Sequence, residues 1–172
     1  MTHDSITSHK KTPHSPWLAF SVAALSIMGS ALDRGASNVI LPNIAEEFGS
    51  DIPTAQWINT TYLLMVAALL LPMGRLTDIL GSKKVIVSGL IVFAFGGIGS
   101  SVAPSIEILL SGRILQGIGG AMIQGTAFII AIAAFGEEQR GKAVGLVLIF
   151  VGLGNVAGPT VGGLVTTYAG WR

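Results

Sequence analysis

Long apolar stretches alternate with short polar segments along most of this chain. Five stretches of 21 residues or more contain no Asp, Glu, Lys or Arg, namely 12–32, 52–74, 85–106, 114–136 and 143–171. An α-helix needs about 20 predominantly apolar residues to cross a bilayer. The first stretch continues through Asp33 and Arg34 into another charge-free segment at 35–45. The pattern therefore predicts five membrane helices, at about 17–41, 54–73, 85–103, 108–135 and 143–169.

The composition excludes several other classes of protein. Of the 172 residues, 51% are hydrophobic and 11% are charged, whereas an average soluble domain has about 25% charged residues. The high apolar content excludes a disordered chain, and the absence of cysteine excludes disulfides and thiolate sites. A net charge of +1 gives no indication of nucleic-acid binding. A secretory signal peptide would precede a soluble domain, but here four more apolar stretches follow. We therefore predict an all-α membrane protein.

Lys and Arg are distributed unevenly between the predicted loops. Seven lie in the N-terminal tail and in the segments after the second and fourth helices, whereas the opposite side has only Arg172. Basic residues favour cytoplasmic loops, so we predict a cytoplasmic N-terminus in the plasma (inner) membrane. Residues 1–16 contain three histidines, and we expect a disordered cytoplasmic tail there rather than a metal site. Because five helices leave the termini on opposite faces, we expect 17–172 to be an incomplete N-terminal half of a longer transporter.

The first helix contains two of the three charges within the predicted spans, Asp33 and Arg34. A charge at the bilayer centre costs about 2.5–3.5 kcal/mol on insertion scales. Helical spacing places Asp33 on one face with Ser26, Ser30 and Ser37, while Arg34 borders that face and Asn38 lies further round. Two interpretations remain open: a polar face along a water-filled cavity, with Asp33 binding a proton or cation, or an outer-interface position from which Arg34 snorkels.

The fourth helix contains the third charge, Arg113. By the same helical arithmetic, Arg113, Gln116, Gly120 and Gln124 lie within a narrow arc. A guanidinium there must face the bundle interior and find acceptors or an anion. It is either an internal tether between helices or a charge that adjusts the proton affinity of a nearby carboxylate.

Two further segments combine glycine with polar or kinking residues. Residues 74–84 read G-R-L-T-D-I-L-G-S-K-K, and this short loop predicts adjacent, antiparallel helices on either side, with Asp78 capping a helix or pairing with a cation. Residues 152–163 read G-L-G-N-V-A-G-P-T-V-G-G. The spacing of Gly154, Gly158 and Gly162 permits close helix packing, and Pro159 is expected to kink or stiffen the fifth helix.

Four motifs in this chain resemble those of the major facilitator superfamily, in the drug:proton antiporter branch with fourteen helices. The cytoplasmic signature between helices two and three is represented by Gly74, Asp78, Gly81, Lys83 and Lys84. The motif of helix four is represented by Arg113, Gln116, Gly117, Gly119 and Gly120. The antiporter motif of helix five is represented by Gly154, Gly158, Pro159, Gly162 and Gly163. The first-helix motif is represented by Leu32, Asp33, Asn38, Leu41 and Pro42.

The chain departs from these motifs at three positions. Ile79 and Ser82 stand where the cytoplasmic signature usually has basic residues, which would weaken a charge relay there. Arg34 follows Asp33 where the family commonly has a small or polar residue. We hypothesise that Arg34 pairs with Asp33, which would favour the charged carboxylate and make it a poorer proton carrier.

The resemblance implies the first five helices of a transporter with two six-helix halves, which binds its substrate between them and works by alternating access. The leading expectation is proton-driven export of amphipathic or cationic compounds, with the proton gradient as energy source and no cofactor or metal. Its partners would be the bilayer, protons, a small-molecule substrate and the remaining helices. The expected proton and substrate site comprises Asp33, Arg34, Asn38, Arg113, Gln116 and Gln124.

Two other functions remain open. One is a metabolite porter of the same superfamily, and the other is a non-transporting membrane subunit, sensor or remnant. An enzyme is not expected, because the predicted helices contain no constellation of catalytic or metal-binding side chains.

Overall fold

The computed structural model describes residues 16–170, which form five α-helices, one short 3-10 turn and no strand. The helices are α1 (Pro16–Glu47), α2 (Ile52–Leu80), α3 (Ser82–Ser101), α4 (Ile106–Phe135) and α5 (Arg140–Ala169), and the 3-10 turn is Glu137–Gln139. The predicted all-α fold with five helices is confirmed. The predicted disordered tail lies outside the described residues, except for Pro16, which begins α1.

Four of the described helices, α2 to α5, are long and apolar enough to cross a membrane. The remaining helix, α1, is the longest at 32 residues, which corresponds to about 48 Å. It is less apolar than the others because its middle contains Asp33 and Arg34. The length of α1 is therefore ample for a bilayer, and the charged side chains in its middle need partners.

The first connection differs from the prediction, because α1 does not end near residue 41. The helix continues through Pro42 to Glu47, although proline cannot donate the usual helical hydrogen bond. Packing on both sides holds this end in place, since Leu41 and Ile44 are buried against Ile58 of α2 and Leu109 of α4. Proline within membrane helices is tolerated when neighbouring helices support the backbone.

The second connection is far shorter than the predicted loop at 74–84. Residues 74–80 continue α2, and Gly81 alone separates α2 from α3. Its φ of +88° lies in the left-handed region that favours glycine, and its N–H donates to the carbonyl of Thr77 at 2.9 Å. The predicted adjacency is only partly correct, because α2 and α3 contact each other far less than each contacts α4.

The start of α2 is capped by a carboxylate. Asp51 accepts a hydrogen bond from the backbone N–H of Thr54 at 3.3 Å, as an N-cap residue does. Hydrogen bonding with Thr54 lowers the pKa of the Asp51 carboxyl from its ordinary value. Pro53 follows within the first turn, where its missing N–H costs no helical bond.

The bundle is built around α4, which packs against all four other helices, while α1 packs mainly against α5 and α4. Two apolar clusters hold the bundle together. One contains Ile27 of α1, Ile123 of α4 and Val147 of α5, and the other contains Ile44 of α1 and Leu109 of α4. The segment of α1 between these clusters, residues 30–38, carries half of the polar side chains of this helix, including Asp33 and Arg34. The fold therefore places a polar layer between two apolar ones.

The outer surface of the described bundle is strongly apolar. Leu71 is 82% exposed, Ile79 is 78% exposed and Val156 is 76% exposed. Soluble monomers rarely expose contiguous apolar patches of this kind. The surface is that of helices surrounded by lipid or by further membrane segments.

Candidate functional site: a charged cluster between α1 and α4

An ion pair joins the middle of α1 to the second turn of α4. Nη1 of Arg113 donates to Oδ2 of Asp33 at 3.0 Å, and the two side chains are 11% and 30% exposed. The residues are 80 positions apart in the chain. Two of the three charges that the sequence predicts within the membrane therefore satisfy each other.

Two further acceptors fix the guanidinium of Arg113. Its Nη2 donates to the hydroxyl oxygen of Ser37 at 2.7 Å, and Nη1 also donates to Oε1 of Gln116 at 3.0 Å. The Ser37 hydroxyl itself donates to the backbone carbonyl of Asp33 at 2.8 Å. Arginine suits this position because its rigid fork reaches several acceptors at once. The tether interpretation and the electrostatic interpretation of Arg113 are compatible with this one geometry.

A cavity of about 200 Å³ lies against the ion pair. It is bounded by α1, α3 and α4, and its polar lining comes from Asp33, Ser37, Ser100, Ser101, Arg113 and Gln116. A water molecule takes about 30 Å³ in the liquid, so the space is large enough for several. The partly exposed carboxylate can therefore be reached by water or a proton.

The predicted polar face of α1 is interrupted in the structure. Ser30 is buried at 1% exposure, and its hydroxyl donates to the carbonyl of Ile27 at 2.9 Å. Ser26 similarly bonds to the carbonyl of Val22 at 2.7 Å. Because serine can satisfy its hydroxyl on its own helix, these residues need no cavity, and the predicted continuous lining is wrong. Of the four residues on this face, only Asp33 and Ser37 line the cavity.

The hypothesised pair between Arg34 and Asp33 is also wrong. Consecutive helical residues point about 100° apart, and Asp33 turns towards Arg113 instead. Arg34 lines a second, smaller cavity of about 50 Å³ together with Asn38, Asn59, Tyr62, Leu63 and Arg113. Arg34 is near the midpoint of α1 and only partly exposed.

Two polar residues of α2 line this second cavity, and sequence reasoning missed both. Asn59 donates from Nδ2 to Oδ1 of Asn38 at 2.8 Å, which links α1 and α2. Tyr62 is 2% exposed, and its hydroxyl lies without a hydrogen-bond partner among the described residues, as does Nε2 of Gln124. The available signal was the polar run N-T-T-Y at 59–62 inside an otherwise apolar stretch.

The glycines of α4 allow the other helices to approach closely. A Cβ atom added at Gly117 would lie 2.7 Å from Cβ of Met65, and one at Gly120 would lie 2.6 Å from the Tyr62 hydroxyl. Gly119 approaches α3 in the same way, 2.5 Å from the backbone nitrogen of Phe93. These contacts hold Tyr62 against α4, next to the polar layer.

The glycines of α5 face α1 directly beside the charged segment. A Cβ at Gly158 would lie 2.6 Å from Cα of Gly35, and one at Gly162 would lie 2.8 Å from Cα of Ala36. Gly154 likewise contacts the backbone of Met28, whereas Gly163 has open space around it. Pro159 lies within α5, which is continuous from Arg140 to Ala169.

The residues of the cytoplasmic signature lie away from this cluster, around the joint between α2 and α3. Asp78, Lys83 and Lys84 are exposed, and within residues 16–170 Asp78 forms no ion pair. The capping or pairing expected of Asp78 is therefore absent from the described part of the chain. A buried hydrogen bond between the hydroxyls of Thr77 and Thr126, at 2.8 Å, ties this end of α2 to α4. Gly125 of α4 packs against the backbone of α2, where a Cβ added at Gly125 would lie 3.3 Å from the nitrogen of Gly74.

Residues 23–172 match the family model described as Major Facilitator Superfamily. The chain is 32% identical to the riboflavin transporter RibZ of Clostridioides difficile, covering 90% of this chain and 34% of that protein. It is 31% identical to the multidrug resistance protein Stp of Mycobacterium tuberculosis (90% and 29%). It is 30% identical to the tetracenomycin C resistance and export protein of Streptomyces glaucescens (99% and 33%). The chain thus spans about a third of the length of these curated relatives.

Proposed function

The chain belongs to the major facilitator superfamily, and from that premise we propose that its helices serve a transporter that exports amphipathic small molecules in exchange for protons. The family consists of transporters, and the apolar helices make this a multi-pass membrane protein. We further propose a plasma-membrane location with a cytoplasmic N-terminus, supported by the uneven distribution of Lys and Arg. The remaining helices of such a transporter would complete the substrate cavity.

The observation that carries proton coupling is the ion pair between Asp33 and Arg113 beside a cavity. A carboxylate in the middle of a membrane helix needs a partner or a function, and Asp33 has a partner while remaining 30% exposed. Protonation would remove the charge that the guanidinium binds. Arg113 would keep its hydrogen bonds to Ser37 and Gln116, so the main change would be a weaker bond between α1 and α4.

The close packing of α5 on α1 supports a conformational consequence of that step. Gly158 and Gly162 bring the two backbones together next to Asp33, so a shift of α1 cannot occur without α5. In transporters of this kind, halves rock around a central site to give alternating access. We propose that protonation of Asp33 biases this rocking by loosening the link between α1 and α4.

The relatives support an amphipathic cargo. One is named for multidrug resistance and another for tetracenomycin C resistance and export. The riboflavin transporter favours a second candidate, a metabolite porter, which the same geometry would also serve.

Transport by the full-length transporter in proteoliposomes tests the proposal. The probes are tetramethylrhodamine, its methyl ester and riboflavin, each measured with an imposed pH gradient and with the gradient dissipated by a protonophore. Accumulation of either dye that depends on the gradient is the expected result. Dye movement that is indifferent to the gradient would contradict antiport, and movement of riboflavin alone would favour the metabolite porter.

A further inference from the structure

The charge of Arg34 is not balanced by the ion pair between Asp33 and Arg113. The polar layer contains two guanidinium groups, Arg34 and Arg113, and one carboxylate, Asp33, which Arg113 engages. The second cavity is therefore lined by more positive than negative charge among the described residues. Such an excess inside a membrane protein is costly, and it calls for a compensating negative group.

The hydrogen-bonding groups around Arg34 are also unmatched. Nε of Arg34 is buried and has no hydrogen-bond partner within residues 16–170, and the same holds for Nε of Arg113 and for the hydroxyl of Tyr62, whose residues line the same cavity. Leaving a buried donor without an acceptor is destabilising, and more so for a charged group. Because buried polar groups in native structures are normally satisfied, three unpartnered donor groups in one region indicate a missing acceptor.

The cavity has the right size and access for a small acidic group. Its volume is about 50 Å³, somewhat more than the 30 Å³ share of a water molecule, so a carboxylate group would fit. Asn38 is exposed and lines the same cavity, so the cavity opens at the surface of the described bundle. The hydrogen bond from Asn59 to Asn38 fixes the rim at this opening.

We propose that Arg34 and Tyr62 form a subsite for a carboxylate carried by the exported compound. This inference rests on the proposed export function and narrows its cargo to amphipathic molecules with an acidic group, zwitterions included. The guanidinium supplies charge and a rigid fork that matches a carboxylate, and the Tyr62 hydroxyl supplies a second donor. A purely cationic cargo would be repelled by Arg34 and Arg113, and it would offer no acceptor to the Arg34 guanidinium or to the Tyr62 hydroxyl.

Binding to the purified full-length transporter tests the subsite without relying on transport. Thermal unfolding is followed with benzoate and with benzamide, which differ in charge but scarcely in shape. We expect benzoate to raise the melting temperature and to bind at least about tenfold more tightly than benzamide, as charged hydrogen bonds imply. Arg34→Gln should abolish this preference, whereas Arg140→Gln, which removes an exposed guanidinium at the start of α5, should keep it.

A second variant covers the case in which Arg34→Gln does not fold. Tyr62→Phe removes only an unpartnered hydroxyl, so the fold should persist while the preference for benzoate falls severalfold. Equal effects of benzoate and benzamide on the wild type, or a preference for benzoate that both variants retain, would overturn the proposal. If a carboxylate from another part of the transporter occupied Arg34, benzoate and benzamide would have equal effects on the wild type, and this outcome too would overturn the proposal.

The dye pair separates this proposal from the proposed function. Tetramethylrhodamine carries a free carboxylate that its methyl ester lacks, so the wild type should export the free acid faster and Arg34→Gln should equalise the two. If the wild type moves neither dye, the proposed dye export fails, while the benzoate measurement still decides the subsite. Preferential export of the ester would overturn the acidic cargo and leave antiport intact.

Discussion

At Asp33 a charge in the membrane is both stabilised and accessible. The carboxylate accepts a hydrogen bond from Arg113, and its 30% exposure towards the cavity lets water screen the pair. This accessibility is the basis of the proposed role of Asp33 in proton coupling.

A matched pair of serine variants tests whether the orientation of Arg113 matters. Ser37→Ala removes the acceptor of a 2.7 Å bond from the guanidinium, so gradient-driven export should fall severalfold. Ser26→Ala removes a hydroxyl from the same helix that bonds only to its own backbone, and it should behave like the wild type. Equal rates for the two variants in proteoliposomes would show that the bond to Ser37 has no part in transport.

The sequence was sufficient to single out Asp33 and Arg113, because a charge in an apolar stretch is visible locally. It could not identify their partnership, since the contact joins residues 80 positions apart and depends on how α1 and α4 rotate and approach. Arg34 was the nearest cation in sequence and proved not to be the partner. The second cavity escaped notice because Asn59 and Tyr62 carry no charge.

At the scale of helices, the contact between α5 and α1 determines how closely the charged segment is held. The GxxxG spacing predicted a close approach, and the structure identifies α1 as the neighbour, at Gly35 and Ala36. Helix ends were less predictable. Pro42 lies inside α1, and 74–80 belong to α2, because tertiary packing outweighs local breaking signals there.

Two glycine variants of α5 test this packing. A Cβ at Gly158 would lie 2.6 Å from the backbone of Gly35, so Gly158→Ala should destabilise the transporter by about 1–3 kcal/mol through overpacking. Gly152→Ala meets nothing within 4 Å and should be neutral or slightly stabilising, since alanine favours helices. Thermal unfolding in detergent measures both, and a Gly158→Ala protein as stable as Gly152→Ala would contradict the packing.

At the scale of the whole molecule, polar and apolar layers alternate along the bundle. The ion pair lies between an apolar cluster around Ile27 and Ile123 and another around Ile44 and Leu109. The chain spans about a third of its relatives' length, and the exposed apolar faces leave room for lipid and further helices.

The absence of cysteine from this chain allows its orientation to be tested by labelling. In a transporter whose other cysteines have been replaced, Val102→Cys and Glu138→Cys introduce single thiols at exposed turns on opposite ends of α4. With a cytoplasmic N-terminus, a membrane-impermeant maleimide added to intact cells should label position 102 and leave 138 unlabelled until the cells are opened. The reverse pattern would invert the proposed orientation.

Proton movement in proteoliposomes tests the role of Asp33 most directly. Internal pH and dye flux are recorded together for the wild type, for Asp33→Asn and for Asp51→Asn, a control that removes an exposed carboxylate while an asparagine can still cap α2. The wild type and the control should move protons in one direction and dye in the other. Asp33→Asn should still exchange dye, but it should lose at least about 90% of the proton flux, because the carboxylate that takes up the proton is gone. Proton flux that persists in Asp33→Asn alongside dye export would show that another group carries the proton.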